Sequence, residues 1–278
     1  GVSFDRVNYI LNSLEETMEE VGNIPESLDI RFSNVSFGYE KGKKVLHNLT
    51  FSIPEGSTFG ILGGTGSGKS TIIHLLDRLY ELEEGSIHIG GIDISEIPKP
   101  WLRKHIGMVL QEPFLFSRTI RENIAASNPD ASMEEIREAA KTACIDDAIM
   151  AFKDQYDTVV GERGITLSGG QRQRIAIARM LLAKAPIMVF DDSLSAVDAK
   201  TDSDIRHALR QKMKDATVIL ISHRITTLME ADQIMVLNHG QIEEIGTHHQ
   251  LIGQQGIYRQ IYDIQMNQDD RRLLEGGV

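Results

Sequence analysis

The sequence predicts an α/β fold carrying a helical insertion, and three observations predict it. The apolar runs Ile187–Phe190 and Val218–Ile221 are continuous rather than alternating, as expected of parallel strands covered on both faces. The glycine-rich segment Gly63–Ser70 stands between an apolar run and an amphipathic stretch, so a strand passes through a tight loop into a helix. Between Thr119 and Ala183 the apolar period is helical, with strand-like runs before and after it.

Taken in order, Phe4, Val7, Ile10, Leu11 and Leu14 recur at helical spacing and predict a short amphipathic helix. The acidic stretch Glu15–Glu20, then Gly22, Asn23 and Pro25, reads as a linker, which sets residues 1–24 apart from a domain over 25–278. Leu28, Ile30 and Phe32 alternate, as do Leu49, Phe51 and Ile53, giving early strands exposed on one face. Further strands are expected at Thr58–Leu62, Ser86–Ile89 and Ile106–Leu110. Within the insertion, about 112–170, Ser132 and Glu135 have capping-box spacing ahead of Ile136, Ala139 and Ala140. Strands return at Ile187–Phe190, Thr217–Ile221 and Gln233–Leu237, with a helix over Asp202–Lys214 between the first two.

Composition narrows the function classes. Lys plus Arg is 29 against 40 Asp plus Glu, a net charge of −11 that argues against a nucleic-acid backbone as the main partner. The single cysteine, Cys144, forms no internal disulfide and no zinc site by itself, which fits a reducing compartment. The most apolar region, Ile175–Phe190, is interrupted by Arg179, Lys184 and Pro186 and falls short of the ~18–20 apolar residues of a membrane span. The first residues carry Asp5, Arg6, Glu15 and Glu16 rather than the apolar core of a signal peptide. The chain begins at Gly1 without an initiator Met and reads as a piece of something longer.

Gly63-Gly64-Thr65-Gly66-Ser67-Gly68-Lys69-Ser70 satisfies G-x-x-x-x-G-K-[ST], between the apolar run Phe59–Leu62 and a helix carrying Ile72, Ile73, Leu75, Leu76 and Leu79. The glycines let successive backbone N–H groups turn inward around a phosphate, and the helix N-terminus adds its positive end. Lys69 supplies a full charge to the β and γ phosphates, and the Ser70 hydroxyl can ligate Mg²⁺. Ile187–Asp191 is a buried strand ending in a carboxylate, the pattern that places Asp191 beside such a Mg²⁺. Leu167-Ser168-Gly169-Gly170-Gln171 opens a helix through Ile175, Ile177, Ala178 and Leu181 and makes a second amide-rich helix start. One nucleotide does not need two such starts on one chain. The economical arrangement is a head-to-tail pair in which each chain completes the other's site.

With these residues the sequence resembles an ATP-binding cassette (ABC) nucleotide-binding domain over roughly 28–263, and Leu167–Gln171 matches the family signature letter for letter. The resemblance implies a P-loop NTPase core with an antiparallel β subdomain and an inserted α-helical subdomain. It implies ATP and Mg²⁺ as ligands, with Gly63–Ser70 and Thr71 on the phosphates and Tyr39 stacked on adenine. Gln111 then senses the metal beside Ser70 and Asp191, and His223 contacts the γ-phosphate. Ser168–Gln171 and the loop Ser195–Asp198 face the opposite domain. His248 and His249, with no third ligand in pattern, read as a solvated pair.

Two segments, Thr158–Gly164 and Gln111–Phe116 with Thr119–Ile124, resemble exporters of drugs, lipids and peptides. The implied partners are a transmembrane domain preceding the Phe4–Leu14 helix and a second nucleotide-binding domain. The implied location is the cytoplasmic side of a cell membrane. A soluble ABC ATPase acting on DNA or ribosomes is the competing class, and the exporter-like loop and acidic balance weigh against it. A small-molecule kinase leaves the signature and the Ser195–Asp198 loop unexplained.

One position departs from the family. After Asp191 the family places Glu, which orients or deprotonates the attacking water; here Asp192 stands there, one methylene shorter. Retreat of a catalytic carboxylate by about an ångström costs on the order of 10²-fold. Two readings stay open: a slow site, as in exporters that pair one weak and one competent chain and as an engineered Glu-to-Asp change would also give, or a harmless conservative substitution.

Overall fold

The apolar runs become strands. In a computed structural model, which describes residues 23–64 and 66–275, these are β1 (Ile30–Phe37), β2 (Leu46–Ile53), β3 (Thr58–Leu62), β4 (Glu84–Ile89), β5 (Ile92–Asp93), β6 (Ile106–Val109), β7 (Ile187–Asp191), β8 (Thr217–Ser222), β9 (Gln233–Asn238) and β10 (Gln241–Gly246). The helices are α1 (Lys69–Leu76), α2 (Lys99–His105), α3 (Ile120–Ile124), α4 (Met133–Thr142), α5 (Asp146–Ala151), α6 (Gly169–Ala183), α7 (Ala199–Lys212), α8 (Ile225–Leu228), α9 (His248–Ile252) and α10 (Ile257–Glu275). The chain divides into two units, each with its own sheet.

The first unit, residues 23–55, 66–106 and 238–241, contains an antiparallel sheet in the order β2-β1-β4-β5. The predicted alternation is realised from Ile30, which with Phe32 is buried while Arg31 between them is exposed; Leu28 lies before the strand and is partly buried. Phe32 pairs with Phe51, and their rings stack 4.4 Å apart.

The second unit, residues 56–64, 107–237 and 242–275, contains a sheet in the order β10-β9-β3-β8-β7-β6. β3 runs parallel to both β8 and β9, and β7 parallel to β8. All of β8 and all of β7 except Asp191 are buried, which is why those runs are apolar without alternation. The helical segment packs through Ile120, Ile136, Ile145, Ile149 and Val160, which join Ile175 and Ile177 of α6 in one apolar cluster. The Ser132–Glu135 box is present: each side chain bonds the other's backbone N–H at 3.2 Å, starting α4.

Several boundaries differ from the sequence reading. The strand at Ile106 stops at Val109, and Leu110 is exposed where the chain turns away. The helical period does not run unbroken to Ala183; residues 158–165 instead make bridges, Thr119 with Val159 and Val160 with Ile165. α7 begins at Ala199 rather than Asp202 because Asp198 caps it, accepting from the Thr201 N–H at 2.7 Å. β10 and α10 were not signalled by the apolar pattern. The Phe4–Leu14 helix and Thr65 lie outside the described residues. Among the described residues no helix is long and apolar enough to cross a membrane.

Candidate functional site

The glycine loop is built to hold an anion. Gly66 and Gly68 have φ of 78° and 99°, conformations that point consecutive N–H groups to one side. A Cβ on Gly68 would also meet Leu46 Cδ2 at 2.6 Å, so that side chain would have to shift, and the φ of 99° strains any other residue whatever the space. Gly68 caps α1 with its carbonyl, which accepts from Thr71 N at 3.1 Å and Ile72 N at 3.2 Å, while Lys69 and Ser70 open the helix. Ser67 Oγ is buried with no hydrogen-bond partner among the described residues, a polar atom that a phosphate oxygen would satisfy. These features fit a bound nucleoside triphosphate. Gly63 is buried and Gly64 exposed at the end of β3.

Tyr39 lies in the same unit as Gly66–Thr71. Its hydroxyl bonds Thr71 Oγ1 at 2.9 Å and His74 Nδ1 at 2.8 Å, and its ring meets Tyr80 edge-on at 4.9 Å. The hydroxyl is therefore anchored while 44% of the residue stays exposed. Tyr39 also lines a cavity of ≈ 790 Å³ with Phe37, Lys43 and His47. Tyr39→Ala is expected to weaken ATP binding by ~1–3 kcal/mol through lost stacking, measured by titration calorimetry. Equal affinity in the two proteins would refute the stacking assignment.

The acidic and histidine residues belong to the second unit. Asp191 ends β7; Asp192 follows it, buried, at φ 49°. Non-glycine residues rarely occupy that left-handed region, and Asp is among those that tolerate it best. Asp192 Oδ1 lies 3.4 Å from Nδ1 of His223, which itself is mostly exposed. Gln111 comes near them through its backbone: its carbonyl accepts from Gln173 Nε2 at 2.8 Å. The same amide nitrogen lies 3.4 Å from the Asp192 carbonyl and 3.2 Å from Ser195 Oγ, and Gln173 Oε1 accepts from Ala196 N at 3.1 Å. Sequence reading missed Gln173. The available signal was a polar residue on the buried face of α6, in register with Ala176, Ile177 and Met180.

The second helix start is also built by glycine and capping. Ser168 Oγ accepts from Gln171 N at 3.1 Å, and Gln171 Oε1 accepts from Ser168 N at 2.9 Å. Gly170 lies against the Ser195–Asp198 loop so closely that a Cβ there would meet the Ala196 carbonyl at 2.7 Å; Gly169 has Ala196 Cβ at 3.5 Å. The loop is clasped by Arg224, another residue sequence reading passed over. Its guanidinium donates to the carbonyls of Leu194, Ser195 and Val197 at 3.2–3.3 Å and to the buried Asp202. The Thr201 N–H holds the exposed Asp198 carboxyl below the usual carboxylate range. His248 is not the solvated half of a pair: it is partly buried, 2.6 Å from Tyr258 Oη, and burial and then His249 hold it below the ordinary histidine range. Among the described residues no group of three or more His, Cys, Asp or Glu is placed to hold a metal.

Residues 46–195 match the family model described as ABC transporter. The uncharacterized ABC transporter ATP-binding protein YknU of Bacillus subtilis (strain 168) is 46% identical over 264 residues, 92% of this chain and 45% of that protein. The leukotoxin export ATP-binding protein LtxB of Aggregatibacter actinomycetemcomitans is 40% identical over 270 residues, 96% of this chain and 38% of its own. The structure of a bacterial Atm1-family ABC exporter with ATP bound superimposes with a TM-score of 0.83 at 41% identity, covering 87% of this chain and 42% of that one. The chain thus spans less than half the length of these relatives.

Proposed function

Because this chain belongs to the ABC transporter family, as a nucleotide-binding domain of ATP-hydrolysing type, we propose that it is the motor of an exporter half whose own ATP site turns over slowly. The observation carrying the exporter reading is an exposed apolar face. Phe114 (70% exposed), Phe116, Val159 and Ile165 stand on two segments held side by side, with Ile120 N donating to the Thr158 carbonyl at 2.9 Å and Val160 N to that of Arg118 at 3.0 Å. Large aromatics grouped on a surface mark a protein contact. A transmembrane domain of the same polypeptide or its partner chain is the occupant we assign, which sets the domain on the cytoplasmic side of a membrane. In the full-length exporter, Phe114→Ser with Phe116→Ser is expected to cut transport at least tenfold, while ATP affinity of the present chain stays within about twofold, as for other surface changes. Undiminished transport in vesicles would overturn the assignment.

At the nucleotide, Lys69 and the loop amides would hold the phosphates, with Ser70, Asp191 and Gln111 toward Mg²⁺ and Tyr39 against adenine. Mg²⁺ neutralises charge developing on the transferred phosphoryl oxygens. Asp192 stands where the water-orienting carboxylate is required, and His223 presents its ring beside it. Thr65 and Thr71 complete the loop we assign to phosphate. Ser168, Gly169, Gly170, Gln171 and Asp198 would meet the nucleotide on the P-loop of a second domain, head to tail. The intact signature set against the shortened Asp192 supports a heterodimer, in which this chain completes a faster site on its partner.

A further inference from the structure

The C-terminal helix α10 places one amide against the His223 loop. Gln265 Nε2 donates to the His223 carbonyl at 2.7 Å, and Gln265 Oε1 accepts from Ile225 N at 2.9 Å. The two bonds straddle Arg224 and fix the backbone on both sides of it. As the first N–H of α8, Ile225 N has no acceptor within the helix, and Arg224 offers it no side-chain cap; Gln265 supplies one from 40 residues away. From the same short segment Arg224 reaches the Ser195–Asp198 loop, and its N–H donates to Ser222 Oγ at 3.0 Å.

The helix is docked firmly enough to hold this amide in place. Tyr258 is fully buried, its N–H donates to Glu244 Oε1 at 3.0 Å, and Ile261 and Tyr262 pack on the apolar cluster of the second unit. Positions 258, 261, 262 and 265 share one helix face, so Gln265 occupies a place where the pattern calls for an apolar side chain. Ile264, by contrast, is exposed. A glutamine in line with the packed face is explained by what it meets: the carbonyl of His223 and the N–H of Ile225, bracketed by one side chain. His223 is 62% exposed in its side chain, so packing does little to fix its ring, which is left to its 3.4 Å contact with Asp192 and to the anchored backbone from which it projects.

We infer that Gln265 is a positioning residue for the ATPase reaction, holding the His223 ring beside Asp192 through the backbone of residues 223–225. This rests on the assignment of His223 and Asp192 to the reacting end of the nucleotide, and it adds that α10 belongs to the catalytic apparatus.

Three variants separate the two bonds: Gln265→Met has similar length and neither bond, Gln265→Glu keeps the acceptor for Ile225 N and loses the donor, and Gln265→Asn is too short for both. In the nucleotide-free chain, Gln265→Met and Gln265→Asn are expected to raise Ile225 amide exchange roughly fivefold, while Gln265→Glu leaves it near the parent value. All three are expected to move the His223 ring signals, in histidine-labelled protein, toward those of His223 in an Asp192→Ala chain. In the Asp192→Glu background all three should lower kcat about five- to tenfold with KM for ATP within about twofold, the mark of a group acting after binding. Ring signals that stay at the parent position in Gln265→Met, with the protein folded, would overturn the proposal. Should His223→Ala leave the rate of the Asp192→Glu chain unchanged, the assignment of His223 falls instead, and the ring signals still decide the role of Gln265.

Discussion

Asp192→Glu is expected to raise ATP hydrolysis about ten- to a hundredfold in a self-associated preparation of this chain, where every composite site pairs an intact Ser168–Gln171 with position 192. The effect follows from reach. On the proposed assignment, a carboxylate set back by one methylene beside His223 would hold the attacking water at a longer distance, and general-base chemistry is steep in that distance. The backbone sharpens the expectation in a second way. Position 192 has φ 49°, where Asp is better tolerated than Glu, so the faster variant should also melt somewhat lower. A parallel gain in rate and loss of stability, read by phosphate release and by thermal denaturation, would identify a site whose activity has been exchanged for ease of folding. His223→Ala should then remove the regained activity. Brisk hydrolysis by the parent chain, unchanged in Asp192→Glu, would leave Asp192 as a tolerated substitute and end the slow-site proposal.

Lys69→Ala is expected to abolish measurable ATP binding. Removing one partner of a desolvated charge pair costs ~2–5 kcal/mol, which is ~30-fold to several thousandfold in affinity. The loop contributes amides and the start of α1, but Lys69 is the full positive charge within it. Lys69→Arg should restore only part of the binding, because a planar fork does not replace a compact ammonium in a loop closed by Gly66 and Gly68. Equilibrium binding of a fluorescent ATP analogue reads both, and affinity within threefold of the parent in Lys69→Ala would place the phosphates elsewhere.

What the sequence discloses and what it hides divide along a physical line. Gly63–Ser70, Leu167–Gln171 and Ile187–Asp191 are contiguous, and their chemistry depends on local backbone conformation, so the order of residues carries it. β7 and β8 are legible because burial on both faces demands an unbroken apolar run. Gln173, Arg224 and Gln265 act on backbone atoms 19–62 residues away, and no local pattern encodes such distances. Their trace is a mismatch: a polar side chain in register with Ala176 and Ile177, or with Tyr258 and Ile261. α10 escaped notice because the polar run Asn267–Arg272 interrupts its apolar pattern while the helix continues to Glu275. β10 escaped because Glu243 and Glu244 interrupt its alternation.

The place of β3 in its sheet has a consequence for synthesis of the chain. The strand that delivers the glycine loop is flanked by β8 and β9, and Gly56 N–H waits for Thr217 Oγ1, 161 residues on, as Thr58 N–H waits for Asp232, 174 residues on. At ~5–20 residues per second, roughly 8 to 35 s pass on the ribosome before those neighbours exist. Throughout that interval Phe59, Ile61 and Leu62, all buried in the finished sheet, have no strand on either side. The loop cannot take its native form early, and nascent chains that stop short of about residue 240 should bind chaperone rather than ATP. Substitutions in β8 will therefore register first as lost yield during expression, even though that strand lies about 150 residues beyond the glycine loop whose strand it flanks.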